Sequence, residues 1–433
     1  METKKTVSDA GTMAKGIISN KLNYTSPPLV NLFNSRQYVK YPAQSQSYTA
    51  NSTVIVNLSN SEVFVNAKNS YLKFKLAVAG ANAVAETWSS VAGIINRTRY
   101  IHASGVELCH HRNCNGYASV HNKIHQSAEW QNCQGKLQGY QTLYADGAAA
   151  TEIAIPLEQI CSVFRPMDDT LLPPFLLSGS RIEINLEAAA KAFLWSAAGG
   201  SYTITDVEVV LDSYVLSDAA FSMLESMSKA GKVEYSVMDY EVIEGSTGGT
   251  NKLNIQLNKS IGRAFETVTV VQKTVTALAN GAVNLDDATQ NYFKPATFDK
   301  IQSYQHRLNS LYMPALPAEG VEKYLNMLQL HHGKDTTHYT NFYTYADFTG
   351  AEIVNVPGNP PVPTFFQNHG ELIVQSLMRN DFVGVTSGLP INSSSSLRLA
   401  VDLAEATNFK AAMYTSYMKI IKPYLYDKVA ISV

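Results

Sequence analysis

Apolar and polar residues alternate along much of this chain, and the alternation has a period of two. Val54, Val56 and Leu58 recur at every second position between Thr53 and Leu58, and Leu72, Phe74 and Leu76 alternate with Tyr71, Lys73 and Lys75. Between Leu171 and Leu186 an apolar stretch is broken by Pro173-Pro174 and turns at Ser178-Gly179. It then sets Ile182, Ile184 and Leu186 on one face and Arg181, Glu183 and Asn185 on the other. A period of two with one apolar face predicts half-buried strands in antiparallel sheets. Further strands are predicted over Ile94 to Val106, Glu152 to Ile155 ahead of Pro156, and Tyr202 to Leu216, where Val207, Val209 and Leu211 share a face.

The spacing changes in three places. Tyr117, Val120, Ile124 and Ala128 fall three and four residues apart, which predicts a helix. Asp218 to Lys229 predicts another, with Asp218 as cap, a stripe of Phe221, Leu224 and Met227, and Gly231 as terminator. A third is predicted over Ala318 to Leu330, with Val321, Leu325 and Leu328 on one side.

After the middle helix the strand pattern begins again. Leu253, Ile255 and Leu257 alternate, and so do Leu397, Leu399, Val401 and Leu403. The stretch from Ala264 to Ala279 is rich in Val and Thr and runs into the turn pair Asn280-Gly281, and the chain closes on Val429, Ile431 and Val433. Four prolines between Val356 and Pro363 predict a stiff surface loop, and Ser393 to Ser396 a polar turn. The same plan thus occurs twice without a residue-level repeat, and two eight-stranded sandwiches of roughly 180 to 200 residues each would consume the chain. The fold class is all-β with a few short inserted helices. Residues 1–28 form a polar arm closed by Pro27-Pro28, 29–217 the first sandwich, 218–232 a linker helix, and 233–433 the second. The arm reads equally as a frayed terminus or as a segment that orders against a neighbour.

Composition narrows the classes of function. Only 16% of the residues are charged and the formal net charge is −2, so no strong field selects a nucleic acid or an anionic membrane. A chain short of charge and rich in tyrosine, with 24 of them, suits buried protein–protein contacts. Four cysteines in 433 residues are too few for a disulfide scaffold. The first residues have no apolar core of a signal peptide, and no apolar run reaches the roughly 18 residues of a membrane span.

Candidate chemistry is sparse. Cys109, His110, His111, Cys114, His121 and His125 form the densest set of metal-ligand types. The interval from Cys114 to His121 is shorter than a zinc finger's, and Asn122 stands where an HExxH motif needs Glu. His121 also lies beside the apolar stripe of its helix, so the set reads as packing and strand-end residues. His331, His332 and His338 have no spaced carboxylate partner. Asp168-Asp169 and Asp286-Asp287 sit among turn residues, where Asp bonds the backbone, and Ala197 to Gly200 leads into a strand. The sequence therefore assigns no catalytic, cofactor-binding or metal-ligating residue.

Five stretches carry a resemblance. PLEQICSVF at Pro156 to Phe164, LLPPFLLSGSRIEINL at Leu171 to Leu186 and YTITDVEVVLDSYVL at Tyr202 to Leu216 resemble the end of the first jelly roll in double jelly-roll major capsid proteins. IQSYQHRLNSLYMP at Ile301 to Pro314 is similar to capsid proteins of polinton-like viruses, virophages and related small DNA viruses of the PRD1–adenovirus lineage. GLPINSSSSLRLAV at Gly388 to Val401 resembles late strands of the second jelly roll.

The resemblance implies two consecutive eight-stranded antiparallel jelly rolls and a structural, non-enzymatic protein. It implies a homotrimeric, pseudo-hexagonal capsomer that tiles an icosahedral shell around a DNA genome. Neighbouring capsomers and penton and minor capsid proteins would be its partners, with no specific nucleic-acid recognition, and an internal membrane is left open. The protein would be made in the host cell without a signal peptide and reside in the virion, its arm facing inward. Two other classes compete: a two-domain β-sandwich carbohydrate-binding or attachment protein, and a cupin-type enzyme holding a metal on adjacent strands.

Overall fold

The computed structural model describes residues 33–59, 63–85, 90–126, 128–140, 142–195, 199–273, 296, 299–332, 370–378, 388–392, 396–424 and 428–433. The arm at 1–28, Asn280-Gly281, Asp286-Asp287, Ala197-Ala198, His338, the proline-rich loop and Ser393 to Ser395 lie outside these residues.

Eight longer strands form the two main sheets of the first half: β1 (Phe33–Pro42), β2 (Thr53–Leu58), β3 (Val63–Ala79), β4 (Ile95–Ile101), β5 (Glu107–His111), β6 (Thr151–Pro156), β7 (Ser180–Leu186) and β8 (Ser201–Leu216). They pair antiparallel in the orders β1-β8-β3-β6 and β2-β7-β4-β5. Helix α1 (Cys114–His125) interrupts the link from β5 to β6, and α2 (Asp218–Lys229) follows β8.

The second half repeats the plan with β9 (Tyr235–Ser246), β10 (Lys252–Leu257), β11 (Ile261–Lys273), β12 (Ile301–Leu308), β13 (Leu311–Glu319), β14 (Leu372–Ser376), β15 (Leu397–Leu403) and β16 (Phe409–Tyr424). Its sheets run β9-β16-β11-β14 and β10-β15-β12-β13. Counted within each half, both have the order 1-8-3-6 over 2-7-4-5, which is a jelly roll. Helix α3 (Glu322–His332) lies between β13 and β14, and β17 (Lys428–Ser432) adds to β16.

The alternating residues face inward as the pattern requires. Val54, Val56, Leu58, Leu72, Phe74, Leu76, Ile182, Ile184, Leu186, Val207, Val209 and Leu211 share the core of the first half. Leu253, Ile255, Leu257, Leu397, Leu399, Val401 and Leu403 share that of the second. The structure differs from the sequence reading in five places. The stretch Ile94 to Val106 is β4 plus a turn, because Gly105 takes a left-handed φ of 82° and His102 N–H donates to the Val106 carbonyl at 2.9 Å across it. β3 extends well beyond Tyr71 to Leu76, its first turns buried on both faces and so without alternation.

Ser217, not Asp218, is the N-cap of α2, and Asp218 occupies the first turn, where its charge suits the helix dipole. The third helix begins at Glu322, because Ala318 and Glu319 still pair with Tyr304 and Ser303. Its expected stripe is outward: Val321 and Leu325 are 59% and 48% exposed, while Lys323 and Met327 are buried. A buried ion pair from Lys323 Nζ to Glu371 at 2.8 Å anchors this helix. Finally, the closing alternation does form a strand, but Ile431 and Val433 stay substantially exposed at its edge.

Candidate functional site at the seam between the halves

Among the described residues, a dense buried cluster of charged and aromatic side chains lies where the two jelly rolls meet. β9 brings Tyr235, Val237 and Asp239 against the first half, and Tyr235 and Val237 join its hydrophobic core together with Ile421 of β16. The backbones also meet. Met167 N–H donates to Ser236 O at 3.0 Å and Met238 N–H to Arg165 O at 2.9 Å, either side of a bridge between Pro166 and Val237.

Asp239 is the hub. Its carboxylate accepts from His111 Nε2 at 2.6 Å, Lys419 Nζ at 3.0 Å, Tyr417 Oη at 3.2 Å and its neighbour's backbone, Tyr240 N–H, at 2.9 Å. Lys419 also donates to the carbonyl of Leu108 in the first half. His111 Nδ1 faces the Ile160 carbonyl at 3.3 Å. Both ring nitrogens therefore face acceptors, which favours the doubly protonated ring. Burial alone disfavours that charge, but the Cys109 sulfur and Asp239 outweigh it and raise His111 to about 9. Burial equally opposes the carboxylate, yet His111 and Lys419 hold Asp239 far below the usual carboxylate range.

A stack of rings covers this cluster. Tyr117 of α1 lies parallel to Tyr240 of β9 with centroids 3.8 Å apart, and Tyr240 in turn lies 4.1 Å from the His111 ring. Arg165 closes the stack, donating to Tyr117 Oη at 2.7 Å with its guanidinium 4.9 Å from the ring centroid. Below it Tyr117, Val120 and Ile124 share a core with Val268, Val270, Val374 and Tyr414 of the second half. The apolar stripe of the first half's inserted helix thus packs on the second half's sheet.

The residues singled out in sequence are scattered by this arrangement. His111 enters the seam. Cys109 and Cys161 are buried free thiols, and Cys114 contacts Thr98 Oγ1 and Tyr240 Oη at 3.7 Å each. His110 points out beside Glu107, and His121 rests against the Tyr117 ring. The side chains of His125, His331 and His332 lie outside the described set. Asp169 pairs with Lys68 at 2.6 Å in an exposed bend. Among the described residues no group of three or more metal-ligand side chains converges, and no helix is long and apolar enough to cross a membrane. What this geometry performs is clamping: charge-assisted bonds with several partners in a dry site hold one orientation of the halves.

Sequence reasoning missed Asp239, Tyr240, Tyr417 and Lys419, which lie in β9 and β16. β16 is buried on both faces from Met413 to Tyr417, which masks its alternation, and β9 alternates only from Tyr235 to Asp239, with an acid at the third inward position. An Asp at the period-two position of Tyr235 and Val237 was the available signal.

No family model and no curated protein matches the chain. Solved structures do. The capsid of the virus PBCV-1 superimposes with a TM-score of 0.61 at 11% identity, over 95% of this chain and 99% of that one. The Sputnik virophage gives 0.59 at 11% identity over 96% and 92%, and the mavirus major capsid protein 0.54 at 9% over 97% and 94%. In fold, therefore, the chain is a double jelly roll of the kind that forms these viral shells, along almost its whole length.

Proposed function

We propose that this chain is the major capsid protein of an icosahedral DNA virus and acts by assembly, without catalysis and without catalytic, cofactor or metal residues. The observation that carries the reading is the repeated strand order, locked through the buried seam into one rigid pair. Two similar sandwiches per chain supply two similar sides, so three chains related by a heterologous contact would close a ring of six. That ring is the pseudo-hexagonal homotrimer from which a shell is tiled, in contact with neighbouring capsomers and with penton and minor capsid proteins. In this reading residues 29–217 and 233–433 are the two upright units, 218–232 joins them, and 1–28 is an inward arm. The protein then resides in the virion.

Light scattering behind a sizing column, with negative-stain images of the same peak, tests this. Three chain masses with a hexagonal outline, or particles built from them, are expected. A monomer that binds glycans or a stoichiometric metal would overturn the reading in favour of an attachment protein or a cupin-type enzyme.

A further inference from the structure

The outer face of the sheet β2-β7-β4-β5 carries more positive charge than its own acids neutralise. Arg99 of β4 bonds Glu107 at 2.5 Å and Glu183 at 2.9 Å, and Arg181 shares Glu183 at 2.9 Å. His110 lies 3.5 Å from Glu107. Those two carboxylates are thereby engaged. Thr98 is paired with His111 and Arg99 with His110 at the end of the ladder; Arg97 follows next on β4, Arg112 is the first residue past β5, and both act on the charge of His110. Neither arginine has an ion-pair partner among the described residues, and Arg97 Nε is buried with no hydrogen bond. Burial lowers His110, Glu107 pulls the other way, and Arg97, Arg112 and Arg99 lower it further, so the ring adds no further positive charge. Like charges gathered at one strand end repel, and a buried guanidinium nitrogen without an acceptor is costly.

We propose that Arg97 and Arg112, rimmed by His110, form an oxyanion-binding site that takes a phosphate or a carboxylate. Two adjacent guanidinium forks match the paired oxygens of either group, and they bind it bidentately where ammonium groups would act as point charges. The oxyanion has two available sources: free inorganic phosphate, or an acidic side chain on a second copy of this chain. The second source rests on the capsomer reading, and the first does not.

The test uses the full chain titrated with sodium phosphate against sodium chloride at matched ionic strength, read by calorimetry and by Tm, with light scattering on each sample. Arg112 is exposed, so Arg112→Gln leaves the core intact, and Arg112→Lys keeps the charge without the fork. A free-phosphate site is shown by a Tm that rises with phosphate and by affinity about tenfold weaker or worse in Arg112→Gln and Arg97→Gln. Arg112→Lys recovers only part, and the mass does not change. A neighbour's carboxylate is shown by indifference to phosphate together with a loss of assembled mass in Arg112→Gln. An assembly that is insensitive both to phosphate and to these substitutions overturns the site while leaving the capsid reading intact.

Discussion

His306 and His111 are both buried, and their surroundings push them in opposite directions. His306 lies inside the second sandwich with Nε2 3.2 Å from Thr267 Oγ1, and burial lowers it to about 3. A folded-state value below the unfolded one of about 6.5 means a stabilising share that is full above pH 6.5 and is lost as pH falls toward 3. His111 is raised to about 9, so its share is full below pH 6.5 and is lost as pH rises through 9. The urea midpoint is therefore expected to fall on both sides of neutrality. His306→Leu should flatten the acid limb and His111→Gln the alkaline one, each by up to a few kcal/mol. A His306→Leu protein whose midpoint declines between pH 6.5 and 4 as steeply as the parent's would refute the acid assignment. No neighbour in the sequence announces either shift. His306 follows Tyr304 and Gln305 in an ordinary alternating strand, and what sets its value is the second sheet closing over it.

At the scale of elements, α1 is informative because its position was legible and its partner was not. The spacing of Tyr117, Val120 and Ile124 marks an amphipathic helix, but an apolar stripe does not say which core it enters. The answer depends on close approach. A Cβ on Gly116 would lie 2.1 Å from Tyr414 Oη and 2.8 Å from Asn113 Oδ1. Tyr414 cannot easily move away, because it is buried among the rings of Tyr117 and Tyr240. Gly to Ala within a helix ordinarily gains about 1 kcal/mol. Here we expect the sign to reverse, with Gly116→Ala costing about 1 to 3 kcal/mol through overpacking. Tyr414→Phe in the same background removes the clashing oxygen and should return part of the loss. If Gly116→Ala proves neutral or stabilising by thermal unfolding, the helix does not sit this tightly on the second sheet. The misread stripe of α3 has a related cause. Its buried side carries Lys323, a residue that hydrophobic periodicity assigns to solvent, and tertiary partners, Glu371 and the Ile301 carbonyl, make that burial tolerable.

For the whole molecule, alternation was enough to mark strands in both halves and the helix between them, because each one-sided strand carries its own inside and outside. β9 puts an acid on its inward face and β16 is buried on both faces from Met413 to Tyr417, and those are the strands on which the halves depend for each other. Two domains joined by one linker ordinarily meet through a modest, polar interface and move independently. Here Tyr235, Val237 and Ile421 complete the first core, while Val120 and Ile124 pack on the second half's sheet. Tyr235 Oη donates to Val163 O at 3.0 Å across the same seam. Separating the halves would strip those apolar surfaces and part Asp239 from His111 and Lys419 from the Leu108 carbonyl. The full chain should thus unfold in one calorimetric transition, with calorimetric and van't Hoff enthalpies in agreement. Segments 29–217 and 233–433 expressed separately should lack the near-ultraviolet dichroism of packed aromatic rings. Two well-separated transitions, or a first half that unfolds alone at the parent midpoint, would show the seam to be a passive contact. A single transition would mean that each jelly roll folds only as part of the pair, so a capsomer built from such chains is stiff within each subunit and must take up any strain at the contacts between chains.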